Sequence, residues 1–432
     1  MPLLDIKNLT VSFDTAAGPF MAVQGIDLSI EPREVLAIVG ESGSGKSVAM
    51  LAVMGLLPNT ATVKADRMAF DGIDLLELSP SERRKIVGKD ISMIFQEPIA
   101  SLNPCFTAGF QIEEVLRFHL GMDRAQRRAR AIELMKLVGI ADPEERLNSF
   151  PHQMSGGQCQ RVMIAIAIAC NPKLLIADEP TTALDTLVQR DVLDLMVELT
   201  RENGTAVLLI SHDLGMVSHY VNNVTVMCEG KAVEQGSSTQ VLHAPQHDYT
   251  KRLVDALPKR SAGGSRKTVD GPPLVEISNV VIDYPGRPRL FGRAPPKRAV
   301  DGVDLTIRRG ETLALVGASG SGKTTLGRAI VGLVRPASGT ISFLGTAIAN
   351  DRSADARAQR RGMQIVFQDP YSSLDPRQSI AEIITEPLKL DTELDRKRRT
   401  ARMDEVIEEV GLTRDLLERF PHQLSGGQRQ RV

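Results

Sequence analysis

The amino-acid sequence predicts an α/β fold that is duplicated within one chain, with the second copy incomplete. Three segments recur in the same order in the two halves of the 432-residue chain. They are GESGSGKS at 40–47 and GASGSGKT at 317–324, IFQEPIASLNP at 94–104 and VFQDPYSSLDP at 366–376, and FPHQMSGGQCQRV at 150–162 and FPHQLSGGQRQRV at 420–432. The nearly constant offset indicates two copies of one domain, because solenoid repeats have periods of ~20–50 residues.

The composition marks the join between the two copies. Residues 259–273 are rich in Pro, Gly, Ser and basic side chains and show no apolar period. This is typical of a linker; the alternative is a surface loop inside one domain. We therefore predict a first domain at 1–258 and a second at 274–432. The second copy stops soon after its SGGQ, so we expect its parallel sheet to be incomplete, exposed and unstable.

Charge and composition exclude several classes of protein. Lys and Arg number 52 against 53 Asp and Glu, and Trp is absent, which argues against a nucleic-acid partner. The four Cys form no CxxC pair, so a reducing compartment is the simpler interpretation. No apolar run reaches the ~18 residues that span a bilayer. We expect a cytosolic chain, and docking onto a membrane protein stays open.

Each copy begins with predicted strands that lead into a glycine-rich loop. Leu3–Phe13 and Leu274–Tyr284 alternate between apolar and polar residues, as a half-buried strand does. VLAIVG at 35–40 and TLALVG at 312–317 are continuous apolar runs, which indicate buried strands. Helical spacing follows each loop.

The two glycine-rich loops match the pattern GxxxxGK[ST], whose backbone N–H groups cradle phosphates at a helix N-terminus. Lys46 and Lys323 are expected to reach the β- and γ-phosphates, and Ser47 and Thr324 to bind Mg²⁺. The predicted ATP-binding residues of these loops are Gly40, Glu41, Ser42, Gly43, Ser44, Gly45, Lys46, Ser47, Gly317, Ala318, Ser319, Gly320, Ser321, Gly322, Lys323, Thr324 and Thr325.

Further polar residues follow short apolar runs, which we predict to be strands, in both copies. Asp178 and Glu179 end LLIADE, where Asp178 is expected to hold Mg²⁺ and Glu179 to polarise the attacking water. His212 after AVLLIS would orient that water, although a lone His at a strand end can be structural. Gln96 and Gln368 would ligate Mg²⁺ or water; the alternative is simple exposure in a loop.

The SGGQ segments are predicted to form a second kind of phosphate-binding site. A Ser and two Gly open a helix whose N-terminus favours anions. Two domains arranged head to tail would each complete the other's nucleotide site. The predicted residues are Ser155, Gly156, Gly157, Gln158, Ser425, Gly426, Gly427 and Gln428.

In this order, the motifs resemble those of the ATP-binding subunits of ABC transporters, which have a P-loop NTPase fold with a mixed sheet core and a helical subdomain. The resemblance implies ATP and Mg²⁺ as cofactors. It implies that TTALD, ending at Asp185, is the D-loop and that His212 is the switch histidine. It also implies that Phe13 and Tyr284 stack on adenine; the alternative is a core aromatic at a strand end.

The sequence resembles the oligopeptide and dipeptide importers of that family more closely, and residues 245–258 resemble their C-terminal extension. This implies an ATP-hydrolysing subunit at the cytoplasmic face of a bacterial inner membrane. Its expected partners are two integral-membrane permeases and, indirectly, an extracytoplasmic solute-binding protein. Two alternatives stay open: a truncated, non-functional fragment of such a subunit, and a tandem ATPase that acts on ribosomes or DNA.

Two departures from the family pattern affect the nucleotide site that would combine the Lys323 loop with the Ser155 signature. The second copy lacks the carboxylate pair and the switch histidine, and Cys159 stands where the second copy has Arg429. Cys159 is either a neutral substitution or a redox-active thiol. Our hypothesis is that only the Lys46 site, paired with the Ser425 signature of the same chain or of another copy, hydrolyses ATP.

Overall fold

The computed structural model describes residues 1–15, 18–181, 186–257, 271–285, 295–318, 320–348, 361–367, 373–389 and 394–432. Backbone contacts divide the chain into two compact units, Met1–Arg266 and Lys267–Val432. Of the predicted linker, residues 259–270 lie outside the described part of the chain, so its bounds stay a prediction.

The first unit combines two sheets with helices. Its elements in chain order are β1 (Leu4–Thr15), β2 (Gly18–Ile30), β3 (Val35–Val39), α1 (Lys46–Met54), β4 (Ala61–Lys64), β5 (Arg67–Phe70), β6 (Ile73–Asp74), α2 (Pro80–Ile86), β7 (Ile91–Ile94), α3 (Pro98–Ser101), α4 (Ala108–Leu120), α5 (Arg124–Leu137), α6 (Pro143–Arg146), a 3₁₀ turn (Pro151–Gln153), α7 (Gly156–Ile168), β8 (Leu174–Asp178), α8 (Thr186–Asn203), β9 (Ala206–Ser211), α9 (Leu214–Val217), β10 (Asn223–Cys228), β11 (Lys231–Ser237), α10 (Ser238–His243) and α11 (Asp248–Asp255).

An antiparallel sheet is built around β1, which pairs with β2, β4 and β5, while β6 extends β5. The alternation predicted at Leu3–Phe13 is confirmed, because Leu4, Ile6, Leu9 and Val11 are all buried. This sheet packs its apolar face on α1, whose buried residues include Met50.

The central sheet has the strand order β11-β10-β3-β9-β8-β7, in which only β11 runs antiparallel to its neighbour. Its core strands are largely apolar and buried, as expected for parallel strands covered on both faces. Val39 pairs with Ser211, and Ile210 with Asp178. The carboxyl ends of β3, β9 and β8 therefore share one edge, where α/β proteins bind ligands.

The helical part of the first unit packs on this sheet through α7. Helices α4 and α5 contact each other and α7. Their inner side chains, including Ile112, Leu116, Leu134 and Met135, join one core with the buried face of α7. The described residues hold no helix that is both long and apolar enough to cross a membrane.

The second unit repeats only part of this architecture. Its described elements in chain order are β12 (Pro273–Tyr284), β13 (Lys297–Arg308), α12 (Lys323–Ile330), β14 (Ser338–Phe343), β15 (Thr346–Ala347), α13 (Ile380–Lys389), α14 (Arg396–Glu409), two 3₁₀ turns (Arg414–Leu416 and Pro421–Gln423) and α15 (Gly426–Arg431). The sheet order is β13-β12-β14-β15, all antiparallel, and β12 confirms the strand predicted at Leu274–Tyr284.

The prediction of a buried strand at 312–317 is wrong for this structure. Leu313, Leu315 and Val316 are exposed, Val316 by 88%, and residues 311–318 pair with no strand in the described part of the unit. The short strand expected before Gln368 is absent in the same way at 363–367. In the first unit, β3 lies between β9 and β10, and β7 pairs with β8. Those partners all follow the SGGQ helix of the first unit, and no strand among the described residues of the second unit pairs with 312–317.

Candidate functional site

The phosphate loop of the first unit begins where β3 ends and leads into α1. Gly45 is the residue before α1 and has a φ of 93°. A Cβ there would lie 2.4 Å from the carbonyl oxygen of Ala22, so both backbone conformation and space demand glycine. The loop therefore closes tightly against the antiparallel sheet, with the positive end of the α1 dipole directed at it.

Lys46 folds back over this loop and is buried, with 4% of its surface exposed. Its ammonium donates to the carbonyl oxygens of Gly40 and Glu41, at 2.8 Å each, and to Ser44 Oγ at 3.2 Å. Burial lowers the pKa of Lys46, while Glu179 and Asp178 oppose that shift. A buried cation with neutral oxygen partners suits an anionic ligand such as a phosphate.

Ser47 and Asp178 meet across the edge of the central sheet. Ser47 Oγ donates to Asp178 Oδ1 at 2.9 Å. Burial raises the pKa of Asp178, and the hydrogen bond from Ser47 opposes that rise. Both are hard oxygen donors of the kind that Mg²⁺ prefers, so these residues fit such an ion.

Glu179 is the residue on which three strand ends converge. Gln96 Nε2 donates to Glu179 Oε2 at 2.8 Å, and His212 Nδ1 lies 3.3 Å from the same oxygen. The hydrogen bond to Glu179 raises the pKa of His212, against the effect of burial. The structure thus brings together Gln96, Glu179 and His212, three residues singled out from the sequence, and Gln96 directs its amide nitrogen at the Glu179 carboxylate.

Both SGGQ segments form the same helix start. Ser155 Oγ accepts from the Gln158 N–H at 3.3 Å, and the Gln158 side-chain oxygen accepts from the Ser155 N–H at 3.0 Å. Ser425 and Gln428 repeat this pair of bonds at 3.3 and 2.9 Å. These are capping boxes, with Gly156, Gly157, Gly426 and Gly427 in the first helical turns.

Cys159 occupies the structural position of Arg429. The Cys159 thiol donates to the carbonyl oxygen of Pro151 at 3.5 Å, and Arg429 Nη1 donates to that of Pro421 at 3.1 Å. Cys159 is fully buried, and burial raises the pKa of its thiol. A buried thiol with a raised pKa is a poor nucleophile, which favours the neutral substitution over a redox role.

The phosphate loop of the second unit keeps the local geometry of the first. Gly322 has a φ of 94°, and Lys323 Nζ donates to the carbonyl oxygens of Gly317 and Ala318, at 2.7 Å each. Tyr284 lies beside this loop, since its hydroxyl is 3.3 Å from Thr325 Oγ1. Within the described part of this unit, Thr324 has no carboxylate counterpart of Asp178.

Some predicted residues are outside this geometry. Asp185, Ser319 and Gln368 lie outside the described residues. Phe13 is half-buried against the core of the antiparallel sheet, which is compatible with either of its two interpretations.

Sequence reasoning did not single out Tyr249, which the structure places at the phosphate loop. The Glu41 N–H donates to the Tyr249 hydroxyl at 2.9 Å. The two residues are 208 positions apart, so no local spacing reveals the contact. The only sequence signal is an aromatic residue within the predicted extension at 245–258.

The ABC transporter family profile matches residues 23–182 and 300–432. The chain belongs to the ABC transporter family. It is an ATP-binding protein of that family and therefore an ATPase, and the predicted α/β P-loop fold is confirmed.

The chain is similar over its whole length to named family members. It is 45% identical to the peptidoglycan transport ATP-binding protein YejF of Agrobacterium fabrum, covering 100% of this chain and 79% of that protein. It is 42% identical to the glutathione import ATP-binding protein GsiA of Escherichia coli O157:H7, covering 100% and 74%. Neither name refers to ribosomes or DNA.

A solved structure supports the fold independently. The dimeric, post-hydrolysis ATP-binding cassette MJ0796 bound to ADP and Pi matches with a TM-score of 0.50 and 30% identity. The match covers 54% of this chain and 98% of that one.

Proposed function

We propose that this ABC ATPase drives the import of oligopeptides or dipeptides through separate membrane permeases. The proposed ATP hydrolysis rests on one observation. Gln96 and His212 both contact the Glu179 carboxylate, which lies next to the Ser47–Asp178 pair. The transport part is supported by the relatives, which are named for peptidoglycan transport and glutathione import.

The proposed reaction is attack of water on the γ-phosphorus of ATP. Glu179 accepts a proton from the water as the new P–O bond forms. The bond to the β–γ bridging oxygen breaks, and ADP and phosphate are the products. His212 orients the water through the carboxylate it contacts. Lys46 and the N–H groups of the loop stabilise the charge on the phosphate oxygens.

Ser47 and Asp178 are the proposed protein ligands of Mg²⁺, with Gln96 as a further candidate. The two oxygens are already 2.9 Å apart, and one belongs to a buried carboxylate. When bound, the ion would neutralise charge on the β- and γ-phosphate oxygens. Thr324 and Gln368 are the corresponding candidates in the second copy.

The Lys46 site is proposed as a site of ATP hydrolysis, because Gln96, Glu179 and His212 come together in the same unit. The described residues of the second unit offer no carboxylate counterpart of Glu179 and no counterpart of His212. The domains are proposed to pair within one chain or between two copies. In either arrangement, the Ser425 signature would complete the Lys46 site.

The permease partners are supported by exposed aromatic residues near Gln96. Phe95 precedes Gln96, and Phe106 and Phe110 follow at the start of the helical part. Phe106 and Phe110 are 42% and 43% exposed and stack at 4.5 Å between ring centroids. An exposed aromatic patch is typical of an interaction surface. Docking of a permease here would hold the chain at the cytoplasmic face of the membrane, below an extracytoplasmic solute-binding protein.

The test of this function is the Glu179→Gln variant. Because general base catalysis contributes about 10²–10⁴-fold, we expect ATP turnover to fall at least about 100-fold. Binding of ATP is expected to persist, since the amide keeps the shape of the side chain. The measurements are phosphate release and equilibrium binding of a fluorescent ATP analogue.

The matched control is Glu198→Gln, which neutralises an exposed carboxylate on α8 of the same unit. It should hydrolyse ATP at the wild-type rate. Substantial hydrolysis by Glu179→Gln would contradict the role of Glu179.

A further inference from the structure

The phosphate loop of the first unit is tied to the end of that unit through one tyrosine. Tyr249 belongs to α11, yet its hydroxyl accepts the backbone N–H of Glu41 at 2.9 Å. Its side chain is part of the main core and only 5% exposed. The acceptor is therefore held by packing and does not depend on a flexible surface side chain.

The start of α11 is itself fixed by a carboxylate from the central sheet. Glu234 on β11 accepts from the N–H groups of Gln246 and His247, at 2.9 and 3.0 Å. His247 Nδ1 in turn accepts from the Tyr249 N–H at 3.2 Å. These bonds connect a strand of the rigid sheet to the backbone of Tyr249.

Glu41 connects Tyr249 to Lys46, the residue proposed to bind phosphate. Its N–H is held by Tyr249, and its carbonyl oxygen accepts from the Lys46 ammonium at 2.8 Å. One peptide segment of the loop thus has the tyrosine on one side and the lysine on the other. In the absence of the hydroxyl, a partly buried N–H would have no acceptor from α11.

We infer that Tyr249 is a positioning residue, which holds the phosphate loop in the conformation that receives the phosphates of ATP. It does not touch the reacting atoms, and the inference rests on ATP binding at the Lys46 loop. A loop fixed in advance loses less conformational freedom when the ligand binds, so the hydroxyl contributes to affinity. Its removal should affect binding more than the chemical step.

The experiment is the Tyr249→Phe variant, which keeps the buried ring and removes only the hydroxyl. We expect the KM for ATP to rise about three- to tenfold, the range typical of one neutral hydrogen bond, with kcat within about twofold of wild type. The equilibrium Kd for ATP in EDTA should rise by the same factor. The full-length chain is used throughout.

The matched control is Tyr220→Phe in the same unit, where burial and the hydrogen-bonded Asp194 raise the pKa of the tyrosine. It also loses a hydroxyl with a hydrogen-bond partner, but away from the loop. The inference is overturned if KM and Kd of Tyr249→Phe equal those of this control, or if kcat falls while KM stays constant. Absence of hydrolysis in wild-type protein would instead contradict the proposed function.

Discussion

At the scale of single residues, Glu179 combines an unusual backbone with a central position in the site. Its φ is 46°, in the left-handed region that residues other than glycine rarely adopt. Its N–H donates to the carbonyl oxygen of Ile210 at 2.9 Å, which ties this conformation to the adjacent strand. Backbone strain of this kind costs about 1–3 kcal/mol and is concentrated at functional sites. The sheet thus holds the carboxylate at the strand edge, where Gln96 and His212 reach it.

His212 gives this cluster a pH dependence of stability. Its pKa is raised above the ordinary 6.5, first by the hydrogen bond to Glu179. A raised folded-state pKa stabilises the fold fully below the unfolded pKa, and the effect is lost as the pH rises through the folded pKa. In nucleotide-free protein, the free energy of unfolding of wild type relative to His212→Ala should reach its largest value about one pH unit below the ordinary 6.5. It should shrink at higher pH.

Because the His212 side chain is 59% exposed, this difference is expected to be small. The measurement is urea denaturation of both proteins from pH 5.5 to pH 8.5. His219→Ala, which removes a histidine of the same unit outside this cluster, serves as the control. A stability difference that grows with pH would contradict the assigned cause.

The residues of the site were predictable from sequence where a motif follows a strand. Lys46, Ser47, Asp178 and Glu179 have local signatures, and parallel pairing brings strand ends to one edge. The contact of Glu41 with Tyr249 was not predictable, because packing of α11 decides it. The hydrogen bond that Gln96 donates to a carboxylate was also not predictable, because sequence spacing does not determine which end of an amide points inward.

At the scale of elements, the capping box of α7 stabilises the first turn of the helix, and the same SGGQ segment is proposed to contact ATP. The Ser155→Ala variant removes the oxygen that accepts the Gln158 N–H. Loss of such a cap costs about 1 kcal/mol, so we expect amide exchange in the first turn of α7 to accelerate about fivefold. Hydrogen exchange followed by mass spectrometry, on a peptide that covers 150–165, measures this effect.

Ser155→Thr is the matched control for the cap, because it keeps a hydroxyl acceptor and should show a smaller acceleration. Equal acceleration in both variants would mean that the hydroxyl does not stabilise the helix start. The Ser425 box has the same geometry, which identifies the cap as a property of the SGGQ segment itself.

At the scale of the whole chain, the two units differ in how their cores are connected. In the first, buried residues of the central sheet join the helical part in one cluster. In the second, one small cluster lies around β12 and another around α13 and α14. Two similar sequences thus reach different structures, because a parallel strand is stable only between partners. An apolar run such as 312–317 therefore forms a parallel strand only where neighbouring strands pair with it.

This difference predicts contrasting hydrogen exchange in two similar segments. Amides at 35–39 are paired on both sides, with β9 and β10, and should exchange slowly. Amides at 312–317 have no strand partner among the described residues and should exchange almost freely. Amides at 277–282 in β12 provide the control, since they pair with β13 and β14 and should be protected. If 277–282 also exchanged freely, the antiparallel sheet of the second unit would be unfolded, and exchange at 312–317 would not report on its own lack of strand partners. Protection at 312–317 would contradict the structure.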